Sequence, residues 1–460
     1  MSMIAQNTDE SKAIGTISTF MHRFQIGKLL AKCNAYKEKG VSVVVLFTFM
    51  LRMVFTDRSM YQQMRTGRWA EEFKKNTYYR FLNSVRINWE RFLTLLSEQV
   101  IETFFRPLTS DDRKDVFIID DSLYERAGYK KTELCARVFD HTGMRYCKGF
   151  RMLTLLWSDG NSSIPIGQRL LSSANEKQIL GTKPAVDGRT LSGKRRRQAC
   201  RKGTVVMIEL LKEAIKAGHN ARYVLFDSWF SAPKQIKDIG ELGLNVIAMI
   251  KRNGRIHYRY NGERLDIRQI YSRNKKRRGR SKYLLSVNVD VEVDGVSIPA
   301  RIVCVRNRSN RKDWLAIIST DTSLSEDEII RLYGKRWAIE VFFKVCKTYL
   351  KLTSECHSLS YDALTAHTVI VFTRYILLSV QQRGEVDDRS LGDLFLAMID
   401  ELEDISFAHS LELIMSAMLD CVRELFKASE DDLSRLSEAM IDKLPASMRD
   451  CLRKYCNSCA

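Results

Sequence analysis

One stretch of the chain constrains its structure and chemistry more than any other: residues Leu324–Leu350, with the sequence LSEDEIIRLYGKRWAIEVFFKVCKTYL. Ser325 precedes Glu328 by three positions, the spacing of a capping box, so a helix is predicted to begin here. The pattern predicts one helix over the whole stretch. At about 100° per residue, four polar side chains then share one narrow stripe of its surface: Tyr333, Arg336, Glu340 and Lys347.

This stripe places a carboxylate among two cations and a phenol. Such a set suits an oxyanion ligand approached by a metal ion, because Glu340 can bind the cation while Arg336, Lys347 and the phenol hold phosphate oxygens. The alternative is a solvent-exposed helix face stabilised by an Arg–Glu pair four residues apart.

The spacing of the stripe, Y-x2-R-x3-E-x6-K, resembles the signature of a family of DDE transposases from bacterial insertion sequences, the insertion-sequence-four-like branch with the Tyr-Arg-Glu-Lys signature. The resemblance implies that Glu340 is the third catalytic carboxylate. It also implies two aspartates upstream, each at the end of a strand, and a site for two Mg²⁺ ions, for which Mn²⁺ would substitute.

Two aspartates stand in the required contexts. Asp120 follows the apolar run VFII and Asp227 follows YVLF, which places both at the carboxyl ends of predicted strands. The three acidic residues are spaced by 107 and 113 positions, in the expected order. For Asp227 the alternative is a cap on the helix that follows.

Asp121 complicates the first position, because neighbouring residues of a strand point to opposite faces and only one of the two aspartates can join the cluster. The family pattern of Asp, any residue, then Ser or Thr selects Asp120, with Ser122 two residues on. Asp120 is therefore our choice.

Carried over residue by residue, the resemblance implies a metal-binding catalytic triad and a set of residues that hold DNA. The triad is Asp120, Asp227 and Glu340. The expected DNA-binding residues are Tyr333, Arg336, Lys344, Lys347, Trp229, Arg277 and Arg278. For Trp229 we weigh stacking on a displaced base against burial in the core.

The order of predicted elements between the aspartates matches a ribonuclease-H-like α/β core. A first strand ends at Asp120, a hairpin and a helix follow, and a strand, a helix and a further strand complete the core. The predicted ranges are Arg151–Trp157, Ile164–Leu171, the basic connector Lys194–Lys202, Val205–Ala217, Tyr223–Phe226, Ala232–Leu242 and Asn245–Ile250.

A mostly β insertion is predicted between Asp227 and Glu340, as in the family that the chain resembles. Tyr283–Val293 and Ser297–Val305 alternate with period two around an Asp-Gly turn. Arg273–Lys282 carries seven cations in ten residues and is predicted to be a mobile loop that holds a DNA backbone or, alternatively, only aids solubility.

The predicted domains are a helical DNA-binding region (1–112), the first part of the core (113–252), the insertion (253–321), the second part of the core with the catalytic helix (322–360), and a helical C-terminal region (361–460). In the first of these, basic and aromatic residues interleave over Lys74–Trp89, which favours phosphate contacts or an amphipathic bundle with a basic face.

Charge separates the chain into two parts. The net charge is +19, but residues 381–460 carry 17 acidic and 9 basic side chains, which leaves +27 on residues 1–380. A basic surface of this size indicates a polyanionic partner, and the expected one is double-stranded DNA bound by a homodimer. The acidic tail is expected to meet protein or to cap the core.

The cysteines and the apolar runs favour a cytoplasmic protein. Eleven cysteines at irregular spacing do not form a disulfide framework, and Cys456 and Cys459 lack the partners of a zinc site. The polar N-terminus does not resemble a signal peptide, and the apolar runs Val41–Leu51 and Thr368–Val380 are too short to span a bilayer.

These features together predict a transposase that cleaves DNA at the ends of an insertion sequence and joins them to target DNA. Two alternatives remain at this stage: a domesticated nuclease that cleaves without transposing, and a DNA-binding protein without catalysis.

Overall fold

A computed structural model describes residues 12–56, 60–65, 73–110, 113–140, 143–279, 281–307, 310 and 313–384, together with part of 390–449. The chain divides into two compact units. The core unit comprises Lys28–Gly40 and Phe73–Val380, and the helical unit comprises Met1–Gly27, Val41–Glu72 and Gln381–Ala460.

The strands all belong to one sheet of the core unit, which within the described chain has eleven strands. They are β1 (Val116–Glu125), β2 (Ala136–Asp140), β3 (Arg145–Ser158), β4 (Ser163–Leu171), β5 (Tyr223–Phe226), β6 (Asn245–Met249), β7 (His257–Tyr260), β8 (Glu263–Asp266), β9 (Leu285–Val293), β10 (Val296–Arg306) and β11 (Trp314–Ser319).

The described α-helices are α1 (Lys12–Arg23), α2 (Ile26–Lys32), α3 (Val43–Arg52), α4 (Met60–Arg65), α5 (Lys75–Leu82), α6 (Trp89–Val100), α7 (Leu191–Ala199), α8 (Gly203–Lys216), α9 (Pro233–Gly240), α10 (Ile267–Arg273), α11 (Glu326–Gly334), α12 (Ala338–Thr348), α13 (Tyr361–Gly384) and α14 (Glu430–Lys443). Several begin with a side-chain cap, such as Thr190 before α7, whose hydroxyl accepts from the Gly193 amide.

The centre of the sheet has the order β4-β3-β1-β5-β6. β3 is antiparallel to β1, whereas β5 and β6 run parallel to β1 and are reached through helical crossovers. The apolar runs before Asp120 and Asp227 are fully buried, as expected for strands covered on both faces. This is the ribonuclease-H-like α/β core, and the predicted fold class is confirmed.

The insertion does not form a separate sheet. β11 pairs with β6 and is followed outward by β10, β9, β7 and β8, so the core sheet continues into the insertion. The predicted β9–β10 hairpin is present, and its turn residues Asp294 and Gly295 both have positive φ angles, 50° and 76°. A two-residue turn of that kind matches the twist of the flanking strands.

Three local predictions are corrected by the structure, and one strand was missed. β1 does not end at Asp120 but continues to Glu125, paired throughout with β3. β2, which we did not predict, adds to the other edge of β3. The basic stretch Lys194–Lys202 is largely helix α7 and not a connector, because Arg195 and Arg196 find buried acidic partners.

The third correction concerns the predicted single helix of Leu324–Leu350. The capping box of Ser325 and Glu328 is present, but a 3₁₀ turn at Lys335–Trp337 separates α11 from α12. A tightened turn of this kind changes the direction in which side chains leave the helix, so the angles of an ideal helix do not apply across it.

Helix α6 belongs to the core unit: its Thr94 hydroxyl donates to the carbonyl of Ile166 in β4, at 3.1 Å. Of the aromatic residues in the Lys74–Trp89 segment, some are buried and some are exposed. Trp89 is fully buried and packs edge-on against Phe81 and Phe92, whereas Tyr79 is exposed. The DNA-binding role of residues 1–112 stays a prediction.

Helix α13 is longer than the apolar run that the sequence suggested. By length and composition it could cross a membrane, but 94% of its most apolar 18-residue window is buried inside the protein. A core helix meets the same criterion, and α13 accordingly packs its Phe372 and Tyr375 against Phe342 of α12.

The helical unit joins chain segments from both ends of the sequence. Phe55 and Phe395 pack with ring centroids 5.5 Å apart, and Met415 packs against Met440 and Ile441 of α14. The described part of the acidic tail therefore buries apolar side chains within its own unit. Cys451, Cys456 and Cys459 lie outside the described residues.

Candidate active site

The site begins where two central strands separate. The parallel pairing of β1 with β5 ends at Ile119 and Phe226, and the next residue on each strand is an aspartate, Asp120 and Asp227. The two carboxyl groups lie close enough for their charges to repel. Burial, reinforced by the negative charge of Asp227, raises the pKa of Asp120 to about 7.

Asp121 points to the opposite face of β1. Its carboxylate forms an ion pair with the guanidinium of Arg151, which comes from the neighbouring strand β3. Alternation along the strand therefore separates the two adjacent aspartates, as the sequence predicted, and Asp120 is the one that faces Asp227 and helix α12.

The break between α11 and α12 is fixed by Lys335. Its ammonium group donates to the backbone carbonyls of Lys114, at 2.8 Å, and Asp159, at 3.3 Å. Its stem lies against Gly160, where an added Cβ would approach the Lys335 side chain to 2.9 Å. These contacts hold the turn against the β3–β4 hairpin and so orient the next residue, Arg336.

Arg336 joins two of the three carboxylates. Its Nη1 lies 3.0 Å from Asp120 Oδ2 and 3.3 Å from Glu340 Oε1, and its Nη2 lies 3.3 Å from the same Glu340 oxygen. Only 15% of the Arg336 side chain is exposed. Burial acts to lower the pKa of Arg336, but Tyr333, Asp120 and Glu340 together hold it above its usual value.

The other residues of the stripe lie on both sides of this bridge. The Tyr333 hydroxyl is buried near Arg336, and burial raises the pKa of Tyr333 to about 12. Lys347 donates to the Ser122 hydroxyl of β1, at 2.7 Å, and burial lowers its pKa. Lys344 lies on the exposed side of α12. Arg336 and Lys347 of the predicted stripe thus both reach side chains of β1.

Asp227 does not cap helix α9, whose N-cap residue is Ala232. It accepts the backbone N–H of Trp229, at 2.8 Å, and so shapes the loop after β5. Trp229 is 43% exposed and not buried in the core; Arg151 lies 5.0 Å and Lys251 4.5 Å from the centre of its ring.

Arg277 and Arg278 lie in the insertion, and no described contact brings them to the carboxylates. The Arg277 guanidinium lies 4.3 Å from the centre of the Tyr283 ring, and Arg278 is exposed. The segment is also held in place by Arg306, which donates to the carbonyls of Gly279 and Ser281.

The donor set suits a magnesium ion, which prefers carboxylate oxygens. The position between Asp120 and Glu340 already holds a positive group, the guanidinium of Arg336. In the described chain, however, no group of three His, Cys, Asp or Glu side chains is arranged to hold one ion. A cation shared by Asp120 and Glu340 would compete with Arg336 for the same carboxylate oxygens.

Three residues near the site were not found from the sequence. Trp337 is 65% exposed on the turn beside Arg336. Lys335 anchors that turn, and Lys251 contacts Trp229 from the end of β6. Lys335 and Lys251 acquire their contacts from distant parts of the chain, whereas the tryptophan within the stripe segment was a signal that could have been used.

The protein has a ribonuclease-H-like sheet with acidic residues on two of its central strands. The sequence matches the family described as DDE superfamily endonuclease over residues 49–311, more than half of the chain, and the protein belongs to that family. The matched segment includes Asp120 and Asp227 and ends before Glu340.

Among solved structures, the piggyBac transposase in a synaptic complex with hairpin DNA, studied by cryo-EM, is similar to this chain at 13% sequence identity and a TM-score of 0.44. The similarity covers 95% of this chain and 86% of that chain. No curated protein matches the sequence.

Proposed function

We propose that the protein is a transposase of the bacterial insertion-sequence branch with the Tyr-Arg-Glu-Lys signature, and that it cuts DNA at the ends of its element and joins the freed 3′-hydroxyl to target DNA. The observation that carries this proposal is the meeting of Asp120, Asp227 and the Arg336–Glu340 pair from three distant chain segments. Membership of the DDE endonuclease family supports it.

In this proposal Asp120, Asp227 and Glu340 hold two divalent metal ions, Mg²⁺ or in its place Mn²⁺. Two such ions supply an activated water or 3′-hydroxyl and stabilise the leaving oxygen of a phosphodiester. Burial and the charge of Asp227 raise the pKa of Asp120 despite its contact with Arg336, and a bound cation would favour the ionised form.

The cationic residues around the triad bind the DNA. Arg336 presents a planar fork suited to a phosphate, and it exchanges Asp120 and Glu340 for phosphate oxygens when DNA arrives. Lys347 and Lys344 add charge along α12, while Tyr333 offers a hydroxyl. Trp229, exposed beside two cations, stacks on a base near the cleaved phosphate.

The proposed partners are double-stranded DNA at the element ends and at the target, bound by a homodimer in the cytoplasm. Residues 1–112 and the basic segment containing Arg277 and Arg278 add phosphate contacts outside the catalytic centre. The competing function is that of a nuclease that cuts without joining; it gives cleavage products but no strand-transfer products.

The test is cleavage in Mg²⁺ of the DNA that flanks the gene, by wild type and by Asp120→Ala, Asp227→Ala and Glu340→Ala. Each variant should lose cleavage and keep most of its DNA binding, because the carboxylates hold metal while phosphate contacts provide affinity. Asp121→Ala is the matched control and should retain cleavage, since Asp121 faces Arg151 on the other side of the strand.

Loss of cleavage in Asp121→Ala with retention in Asp120→Ala would show that the first carboxylate is misassigned. Cleavage that survives all three triad substitutions, or that wild type never shows, would overturn the proposal. Strand-transfer products with a pre-cleaved end separate a transposase from a nuclease.

A further inference from the structure

Three neighbouring clefts lie in the core unit beside the candidate active site. The largest, about 1310 Å³, lies along helices α6, α7 and α8. The second, about 430 Å³, shares Arg201 with the first and reaches Trp229. The third, about 380 Å³, shares Lys251 with the second and lies at the carboxyl end of β6.

The smaller clefts have purely cationic charge among their described lining residues. The second is lined by Arg137, Arg151, Arg201, Lys202 and Lys251; Arg151 pairs with Asp121 and Arg201 with Glu209, and the other three form no ion pair in the described chain. The third is lined by Lys251, Arg252 and Arg268, of which Arg252 pairs with Asp313 outside the cleft. A site for a small neutral molecule has no need of this charge.

In the largest cleft the acidic residues are already engaged. Glu90 pairs with the buried arginines Arg169 and Arg195, and Glu213 pairs with Arg169 as well. Glu209 pairs with Arg201. These three are the acidic residues among its described lining, and each is already in an ion pair with an arginine of the protein.

The outward-facing cations of the same cleft form no such ion pair in the described chain, although the charge of Arg197 acts on the nearby carboxylate of Asp187. Lys194 and Arg197 on α7, Arg91 on α6 and Lys216 on α8 are exposed, and none forms an ion pair within the part of the chain that the structure describes. Helix α7 shows the contrast within a few residues: Arg195 is buried and paired, while Lys194 beside it faces the cleft unpaired.

We infer that the three clefts form one track for the phosphodiester backbone of DNA, which leads from the candidate active site past Trp229 and Arg201 to the exposed face of α7. The inference deepens the proposed function and depends on it for the identity of the ligand as DNA. It assigns the α7 cleft to the stretch of DNA beyond the phosphate that is cut, a second contact region besides the α12 stripe.

The shared chemistry is a row of phosphates, which either a single strand or a duplex can supply. Each contact that releases a counterion contributes about −0.9 for duplex DNA and about −0.7 for single strands to the slope of log K against log salt. The number of contacts in the α7 cleft is therefore measurable without knowing the recognised sequence.

The experiment compares two double variants of the full-length protein. Lys194→Gln/Arg197→Gln removes two charges from the track. Lys212→Gln/Lys234→Gln removes two exposed charges from α8 and α9 that line none of the three clefts and form no ion pair in the described chain. Binding is measured by fluorescence anisotropy without divalent metal, so that cleavage does not enter.

The probes are a labelled 20-base-pair duplex of arbitrary sequence, the same duplex with a single-stranded 3′ extension, and a longer duplex of equal total length. Wild type should gain affinity from one of the two extensions, and that extension identifies the form of DNA in the track. Lys194→Gln/Arg197→Gln should lose the gain and have a slope shallower by about 1.4 to 1.8, while the control double variant keeps both.

Equal slopes and equal gains in all three proteins would overturn the inference, as would the absence of any gain from either extension in wild type. The outcome is separable from that of the proposed function. If only the track is correct, the double variants differ in DNA binding but wild type does not cleave DNA in Mg²⁺. If only the proposed catalysis is correct, wild type cleaves DNA in a triad-dependent way but the double variants bind DNA alike.

Discussion

At the scale of single residues, Arg336 organises the electrostatics of the candidate site. Its guanidinium lies between Asp120 and Glu340 and is itself largely buried. The same side chain thus contacts two of the three carboxylates in the free protein and offers the proposed phosphate contact. One positive group cannot serve both purposes at once, so DNA and metal binding should be coupled through it.

We expect Arg336→Ala to bind Mn²⁺ several-fold more tightly than wild type in the absence of DNA, because the variant no longer has a cation that competes for the carboxylates. Cleavage should nevertheless be slower by several-fold or more, because the phosphate fork is lost. Mn²⁺ affinity can be measured by electron paramagnetic resonance, and cleavage as a single-turnover rate on pre-bound DNA.

Lys347→Ala is the matched control, since Lys347 contacts the Ser122 hydroxyl and no carboxylate of the triad. It should slow cleavage and leave Mn²⁺ affinity unchanged. Arg336→Lys should restore part of the rate only, because an ammonium group lacks the bidentate fork. Unchanged Mn²⁺ affinity in Arg336→Ala would remove the competition argument.

Much of the residue-scale arrangement could be predicted from the sequence. Period-two alternation separated Asp120 from Asp121, and helical spacing grouped Tyr333, Arg336 and Glu340, although a 3₁₀ turn interrupts the helix. The position of Trp229 beside Lys251 and Arg151 was not predictable, because these two cations come from other parts of the chain.

At the scale of secondary-structure elements, helix α7 shows how far composition can mislead. Its sequence LSGKRRRQA has no apolar stripe, and a run of charges predicts a solvated connector. In the structure Arg195 is buried because Glu90 and Asp362, 105 and 167 residues away in sequence, both reach it. The sequence around α7 alone cannot predict ion pairs with residues so far away.

Replacing Arg195 by Met should therefore destabilise the core unit by about 3 kcal/mol, since removal of one partner leaves buried carboxylates uncompensated. The value is at the low end of the usual range because Arg169 and Arg196 remain beside Glu90 and Asp362. Urea unfolding followed by circular dichroism measures the difference.

The neighbouring Lys194→Gln serves as control and should change the free energy of unfolding by less than about 0.5 kcal/mol, because an exposed side chain without a partner contributes little. Equal effects of the two substitutions would mean that the buried ion pairs of α7 do not stabilise the fold.

At the scale of the whole molecule, the sheet is where the sequence was most informative. Most of the strands and helices from β1 to β6 followed from hydrophobic patterns, because each of those elements has a buried face of its own; β2 and α7 did not. The continuation of the sheet from β6 into β11 and the insertion was not predictable, since that pairing joins segments about seventy residues apart and leaves no local pattern.

The stability of the whole molecule should depend on pH through its buried histidines. His219 follows α8 and lies against α6, where its Nε2 is 3.0 Å from the carbonyl of Thr94; burial lowers the pKa of His219 to about 4. Burial likewise lowers the pKa of His367 in α13 to about 4. An unfolded histidine has a pKa of about 6.5.

Between these values the unfolded chain takes up protons and the folded protein does not. The stabilisation is therefore fully present above about pH 6.5 and is lost as the pH falls toward 4, by up to about 3 kcal/mol for His219 alone. Asp120, with its pKa raised to about 7, acts in the opposite direction over the same interval, because its ionisation disfavours the folded state as the pH rises.

A comparison of variants isolates the histidine. His219→Gln retains a donor for the Thr94 carbonyl, so its free energy of unfolding should fall less than that of wild type between pH 7 and pH 4.5, while the contribution of Asp120 cancels in the difference. Urea midpoints at half-unit pH intervals measure this, with the partly exposed His257→Gln as control. If the curves of His219→Gln and wild type stay parallel, His219 is not held neutral in the folded protein.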